Sequence, residues 1–218
     1  MPSPVKENYL KALFTLSDKE GRVNITDLSN HLGVTKPTAN HMIKSLELLG
    51  WVKHQRYQPV VITSSGKKAA ALIIRKHRLT EMFLYKVMGF GWEEVHEVAE
   101  QMEHIDSPLL FDRMDELLDH PTIDPHGSSI PDRDGRMIER DLVPLSDMTI
   151  GVSGSLAALS HSSQELLHYL NESHISLGTN IRVIKVERFD EMHIIKCEDQ
   201  PELTVSKKLA GCLLMRLK

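Results

Sequence analysis

Apolar residues at helical spacing open the chain. Tyr9, Leu10, Leu13, Phe14 and Leu16 recur behind Ser3-Pro4, a fitting helix start, and the run stops before Gly21. Thr26 to Leu32 reads as a short capped helix that Gly33 ends. After Val34-Thr35-Lys36, Pro37 begins another helix; Ala39, Met42, Ile43, Leu46 and Leu49 form its apolar stripe and Gly50 closes it. Two β-type runs follow, Trp51–Gln55 and Val60–Thr63, joined by a turn over Arg56–Pro59. Helix, helix–turn–helix and ribbon in this order predict a winged helix–turn–helix.

From Gly66 to about Met88 the pattern predicts a long helix, with Ala70, Leu72, Ile73, Leu79, Phe83 and Leu84 as apolar positions, broken by Gly89-Phe-Gly91. A second helix is expected over Glu93–His104, and a third from Pro108 to near His120. Their apolar residues exceed what three helices alone can cover, which predicts a helical homodimer interface. A loop over His120–Asp141 contains Asp124-Pro-His126-Gly. Beyond Leu142, Gly151-Val-Ser-Gly154 gives way to a short helix around Gln164–Leu170. Strands are then expected at Asn180–Arg188, Met192–Cys197, Leu203–Val205 and near Cys212–Leu217. One helix among short strands fits a small SH3-like barrel. The expected fold is therefore mainly α, in three segments: a winged helix–turn–helix over 1–64, a helical metal-binding and dimerisation segment over 65–141, and an SH3-like β domain over 142–218.

Charge sharpens this division. The net charge of −4 hides a strong asymmetry. Lys36 to Arg78 holds nine Lys or Arg against one acid, whereas Leu79 to Met148 holds five against seventeen Asp or Glu. Polyanion contact upstream and cation capture downstream are the expected uses. No secretory pattern opens the chain, and no run reaches the ~18 apolar residues that span a bilayer. With only Cys197 and Cys212 and no Cys-x-x-Cys spacing, a cytoplasmic, reducing location without membrane attachment is expected.

The acidic segment carries specific chemistry. On a helix, His96, Glu100, Glu103 and His104 fall on one stripe, and two imidazoles with two carboxylates make half of a divalent-metal site. His77 and Glu81 form a second pair one turn apart, and Asp124 and His126 add donors from the loop. Such faces are also often simply solvated and salt-bridged. Catalytic patterns are lacking: the order Glu-x-x-Glu-His is not the zincin motif, and no nucleophile elbow or phosphate-binding loop occurs. A non-enzyme is expected, the alternative being a metalloenzyme or metal-storage protein built on the same stripe. In the basic segment, the helix beginning at Pro37 is expected in the major groove of double-stranded DNA. Thr35 and Thr38 would hold phosphates, His41 and Lys44 would face outward, and Arg56 and Tyr57 in the ribbon turn would touch the backbone or minor groove.

Arg75-Lys-His77-Arg-Leu-x-Glu81 followed by Val95-His96-x-x-Ala-Glu100-x-x-Glu103-His104 closely resembles the diphtheria-toxin-repressor and manganese-transport-regulator family of metal-activated transcriptional repressors. The likeness runs over essentially the whole chain, including a C-terminal domain similar to the ferrous-transport A protein. It implies a principal metal site of Asn8, Glu100, Glu103 and His104, and a second of His77, Glu81 and His96. In a streptococcal-type subset Asp124 and His126 also contribute. It puts His41 at a base-reading position. Iron sensors of the family place Cys at Glu100 and Met at Asn8. Manganese sensors carry Asp at Asn8 and some carry Glu at Lys11; Glu7 is a nearby substitute for Asn8. Oxygen donors in place of thiolate favour Mn²⁺, with Fe²⁺ as the alternative. The implied function is a dimeric, metal-activated repressor that binds a DNA operator and controls metal-uptake genes.

Overall fold

The computed structural model describes residues 3–198 and 200–217. The chain packs as two compact units. The first comprises Met1–Thr80, Val98–His120 and Ile130–Ile138, and the second Glu81–Glu97, Pro121–Ser129 and Glu139–Lys218. This partition by packing differs from the three sequence segments.

In the first unit, α1 (Pro4–Leu16), β1 (Arg22–Val23), α2 (Ile25–His31), α3 (Lys36–Leu48), β2 (Val52–Lys53) and β3 (Val60–Ile62) form the winged helix–turn–helix. The wing is a three-stranded antiparallel sheet in the order β1-β3-β2. The sequence reading had two of these strands; β1, only two residues long, carries no alternation to detect. Tyr9, Ala12 and Leu13 of α1 share one buried core with Leu28 of α2, Ala39, Ile43 and Leu46 of α3, and Val52 and Val60 of the wing. That shared core couples α1 mechanically to α3, because close-packed interiors transmit displacement. On α3 the buried residues fall at i, i+4 and i+7, which leaves Thr38, His41 and Lys44 exposed.

The long helix α4 (Ser64–Lys86) and α5 (Val95–Met102) are followed by α6 (Pro108–Leu117), which Ser107 caps by accepting from the Leu110 N–H. α5 is shorter than the expected Glu93–His104. At its front, Gly91 N–H donates to the Glu94 carboxylate at 2.7 Å, so Glu93 and Glu94 form a separate turn. At its end, Glu103 N–H still donates to Ala99 O at 2.9 Å, and the backbone turns away at Ile105.

The second unit is dominated by a six-stranded antiparallel sheet, β4-β9-β5-β6-β7-β8 in spatial order. Its strands are β4 (Val143–Pro144), β5 (Ser153–Leu159), β6 (Asn180–Val186), β7 (His193–Cys197), β8 (Glu202–Val205) and β9 (Leu213–Leu217). Helices α7 (Gln164–Glu172) and α8 (Lys207–Cys212) interrupt them. Leu156, Leu167, Leu170, Ile181, Val183, Ile195, Leu213 and Met215 supply its core, to which Trp92 also belongs. The expected small β domain is present with more elements than its sequence displays. β5, written Ser-Gly-Ser-Leu-Ala-Ala-Leu, pairs with both β6 and β9, yet its small residues conceal the strand pattern.

Candidate metal centre and DNA-facing surface

Within the first unit, Glu103 is the centre of a buried polar cluster. Its side chain is fully buried, and His77 Nδ1–H donates to its Oε2 at 2.6 Å. Lys11 on α1 donates to Glu103 Oε1 at 2.7 Å and Oε2 at 3.0 Å, and to Glu100 Oε2 at 2.6 Å. Burial alone would raise the Glu103 pKa; the His77 hydrogen bond and the Lys11 charge outweigh it and hold the carboxyl below its ordinary value. His77, Glu100 and Glu103 each offer a ligand atom within 4.8 Å of the others.

His104 completes this region. A carboxylate only accepts, so His104 Nδ1–H donates to Glu7 Oε2 at 2.6 Å, and Nε2 is left 3.6 Å from Glu103 Oε1. Glu7 is thus engaged in orienting an imidazole rather than standing in for Asn8. The Oδ1 atom of Asn8 is itself buried and, among the described residues, has no hydrogen-bond partner. An orphaned amide oxygen on the helix that also supplies Lys11 is the kind of group a bound cation satisfies. Oxygen and imidazole donors of this kind fit a hard or borderline divalent ion such as Mn²⁺ or Fe²⁺.

Within the second unit, Glu81, Asp124 and His126 are all buried and offer ligand atoms within 4.8 Å of one another. His126 Nε2–H donates to the Trp92 carbonyl at 2.8 Å, and its ring stacks on Trp92 with centroids 6.2 Å apart. A carbonyl cannot donate, so the neutral ring has its lone pair on Nδ1, which lies 3.9 Å from Glu81 Oε2. Asp124 Oδ1 accepts from the backbone N–H of His126 and of Ser128, both at 2.9 Å, which shapes the loop. His96 is half-exposed and donates from Nδ1 to Glu81 Oε1 at 3.3 Å. The stripe read from the sequence is therefore divided: His96 accompanies Glu81, whereas Glu100, Glu103 and His104 belong to the first unit. His77 lies one turn before Glu81 on α4, the pairing that the resemblance implies, and donates to Glu103 as well.

On the winged domain, Thr35, Pro37, Thr38, His41, Lys44, Arg56 and Tyr57 are all exposed. Thr35 caps α3 by accepting from Thr38 N–H, and the two hydroxyls lie 2.8 Å apart. Tyr57, at the tip of the wing, has φ of 66° and lies under the Arg56 guanidinium, 4.8 Å from its ring centroid. The sequence reading noted Lys11 only as a position where some manganese sensors carry Glu and gave it no role, although its i+4 spacing from Glu7 puts both on one face of α1, and it missed the Trp92 carbonyl.

A winged helix–turn–helix joined to buried carboxylate–imidazole clusters and a small β domain defines a metal-responsive DNA-binding regulator. Residues 1–60 match the iron dependent repressor N-terminal DNA binding domain, residues 63–132 the iron dependent repressor metal binding and dimerisation domain, and residues 143–217 the FeoA domain. The chain is 30% identical over 125 residues to the iron-dependent repressor IdeR of Mycobacterium leprae, a stretch covering 57% of this chain and 54% of that one. The match thus spans about half the length of the curated relative. A solved manganese-dependent transcriptional repressor in complex with manganese is 30% identical, covering 98% of this chain and all (100%) of that one, with a TM-score of 0.88. The structure of ScaR with bound Cd²⁺ is 28% identical over 99% of both chains, with a TM-score of 0.84. The chain belongs to the iron-dependent repressor family of metal-dependent transcriptional repressors, the diphtheria-toxin-repressor and manganese-transport-regulator family that its motifs resemble. Among the described residues no helix is long and apolar enough to cross a membrane.

Proposed function

We propose that this chain is a homodimeric repressor that binds a double-stranded DNA operator upstream of metal-uptake genes when loaded with Mn²⁺, or alternatively Fe²⁺, and that it acts in the cytoplasm. Residues 1–64 read DNA, 65–141 hold metal and the dimer contact, and 142–218 form an accessory β domain. Asn8, Glu100, Glu103 and His104 would hold the principal ion; His77, Glu81, His96, Asp124 and His126 supply the remaining donors. A bound ion supplies a divalent positive charge that these carboxylates can share.

The observation that carries this reading is the gathering of α1 and the end of α5 around Glu103, while α1 shares its core with α3. Glu7 orients His104, and Asn8 offers an amide oxygen with no other partner among the described residues. Tyr9, Ala12 and Leu13 pass any shift of α1 to Ala39, Ile43 and Leu46, and so to the exposed face with Thr38, His41 and Lys44. Ligands on both sides of that contact favour one arrangement of α1, and the population moves toward it. Thr35 and Thr38 would contact phosphate, His41 and Lys44 base edges, and Arg56 and Tyr57 the flanking backbone.

Titrating Mn²⁺, Fe²⁺ and Zn²⁺ against chelator in a gel-shift assay, on DNA from upstream of the chain's own gene, tests this. Retarded DNA that depends on Mn²⁺ or Fe²⁺ is expected. Equal retardation in chelator would overturn metal activation.

A further inference from the structure

We propose that Lys11 is a resident cation of the Glu103 site: its ammonium stays among the carboxylates when a divalent ion binds, so the site takes one ion and not a pair. This rests on the reading of Glu100, Glu103 and His104 as metal ligands. Lys11 Nζ makes three short contacts, to both Glu103 oxygens and to Glu100 Oε2, with only 20% of its side chain exposed. A second ion between those carboxylates would need the same oxygens. Lys11 leaves untouched Glu100 Oε1, His104 Nε2 and Asn8 Oδ1, the last without a hydrogen-bond partner among the described residues. With the lone pairs still open on the carboxylates, they are enough for a single ion.

Charge points the same way. Glu7, Glu100 and Glu103 bring three negative charges to this cluster, and Lys11 neutralises one. One divalent ion beside the ammonium balances the rest. Two divalent ions beside it would leave a surplus of positive charge around a fully buried Glu103, where screening by water is weakest. Without Lys11, the trio His77, Glu100 and Glu103 is itself a group of donors within 4.8 Å of one another, ready for a second ion.

The test counts Mn²⁺ bound per full-length chain by equilibrium dialysis and records its electron paramagnetic resonance, because two Mn²⁺ ions sharing carboxylates are magnetically coupled and distant ones are not. Wild type should show only uncoupled Mn²⁺. Lys11→Glu should bind one more ion per chain and display a coupled pair. Lys11→Met, which retains the apolar stem, should do the same with weaker affinity and serves if Lys11→Glu fails to fold. A coupled pair in wild type, or no additional ion in a folded variant, would overturn the proposal. Glu103→Gln separates the two ideas: if it binds Mn²⁺ as wild type does, the ligand assignment itself fails.

Discussion

Oε2 of Glu7 lies 2.6 Å from Nδ1 of His104, so the imidazole is held with Nε2 as its free nitrogen. A carboxylate behind a metal-binding histidine orients the ring and raises its basicity, and removing such a partner lowers metal affinity by about 10- to 100-fold. Glu7→Gln should therefore weaken Mn²⁺ binding by about tenfold. Calorimetric titration of the metal-free protein would measure it; unchanged affinity would show that His104 does not serve as a ligand.

Glu103 holds Lys11 and His77 at once, from a fully buried position. Glu103→Ala should abolish metal-stimulated DNA binding while the dimer stays folded, as read by gel shift beside circular dichroism and sedimentation. Its thermal midpoint without metal should drop, because a buried ion-pair partner left uncompensated is costly, of the order of 3 kcal/mol before discounting for the part-exposed Lys11.

The helices and the ligand types were legible because both are local. Three apolar residues per two turns mark α1 and α3, and a run such as Glu100-x-x-Glu103-His104 declares its donors directly. Contacts between distant segments were not legible. Lys11 meets Glu100 and Glu103 across 89 and 92 residues, and nothing near Lys11 in the chain announces that pairing. His126 likewise takes its tautomer from Trp92, 34 residues earlier. β5 escaped for another reason: a central strand of Ser, Gly and Ala suits close packing, since a Cβ on Gly154 would come within 2.8 Å of Arg216 O, but it lacks the branched residues that signal a strand.

His41 is exposed on α3, opposite the buried Ala39 and Ile43. His41→Ala should weaken binding to the operator by about 1–3 kcal/mol, with little effect on nonspecific DNA. Mn²⁺ affinity should be unchanged, since His41 is no part of the Glu103 cluster. Fluorescence anisotropy with specific and scrambled duplexes gives both numbers, and equal losses on the two duplexes would make His41 a phosphate contact.

Tyr57 holds φ of 66° at the wing tip while 86% of it is exposed. A bulky residue in the left-handed region is strained, and glycine relieves that strain at some cost in unfolded-chain entropy. Tyr57→Gly should leave stability equal or raise it by about 0.5 kcal/mol. DNA affinity should nevertheless fall, with the ring and the Arg56 stack both lost. Thermal melts and gel shifts on one preparation test this; a fall in both would mean that the tyrosine supports the wing itself.

Gly127 closes the Asp124–Gly127 turn with φ of +84°, its N–H donating to Asp124 O at 3.0 Å. A Cβ there would lie 2.3 Å from Ala157 O and 2.6 Å from Ala158 Cα, both backbone atoms of β5. The strand cannot retreat cheaply there, because Ala158 and Leu159 pair with Leu214 and Leu213 of β9. The loop must move instead, and with it Asp124 and His126. Gly127→Ala should cost about 2 kcal/mol or more, from the positive φ and the overlap together. It should also disturb the Glu81, Asp124 and His126 group, so that metal bound there is lost before metal at Glu103. Differential scanning calorimetry with and without Mn²⁺, beside the metal count, resolves the two effects. An unchanged melt would mean that the loop is free to adjust and does not position these ligands.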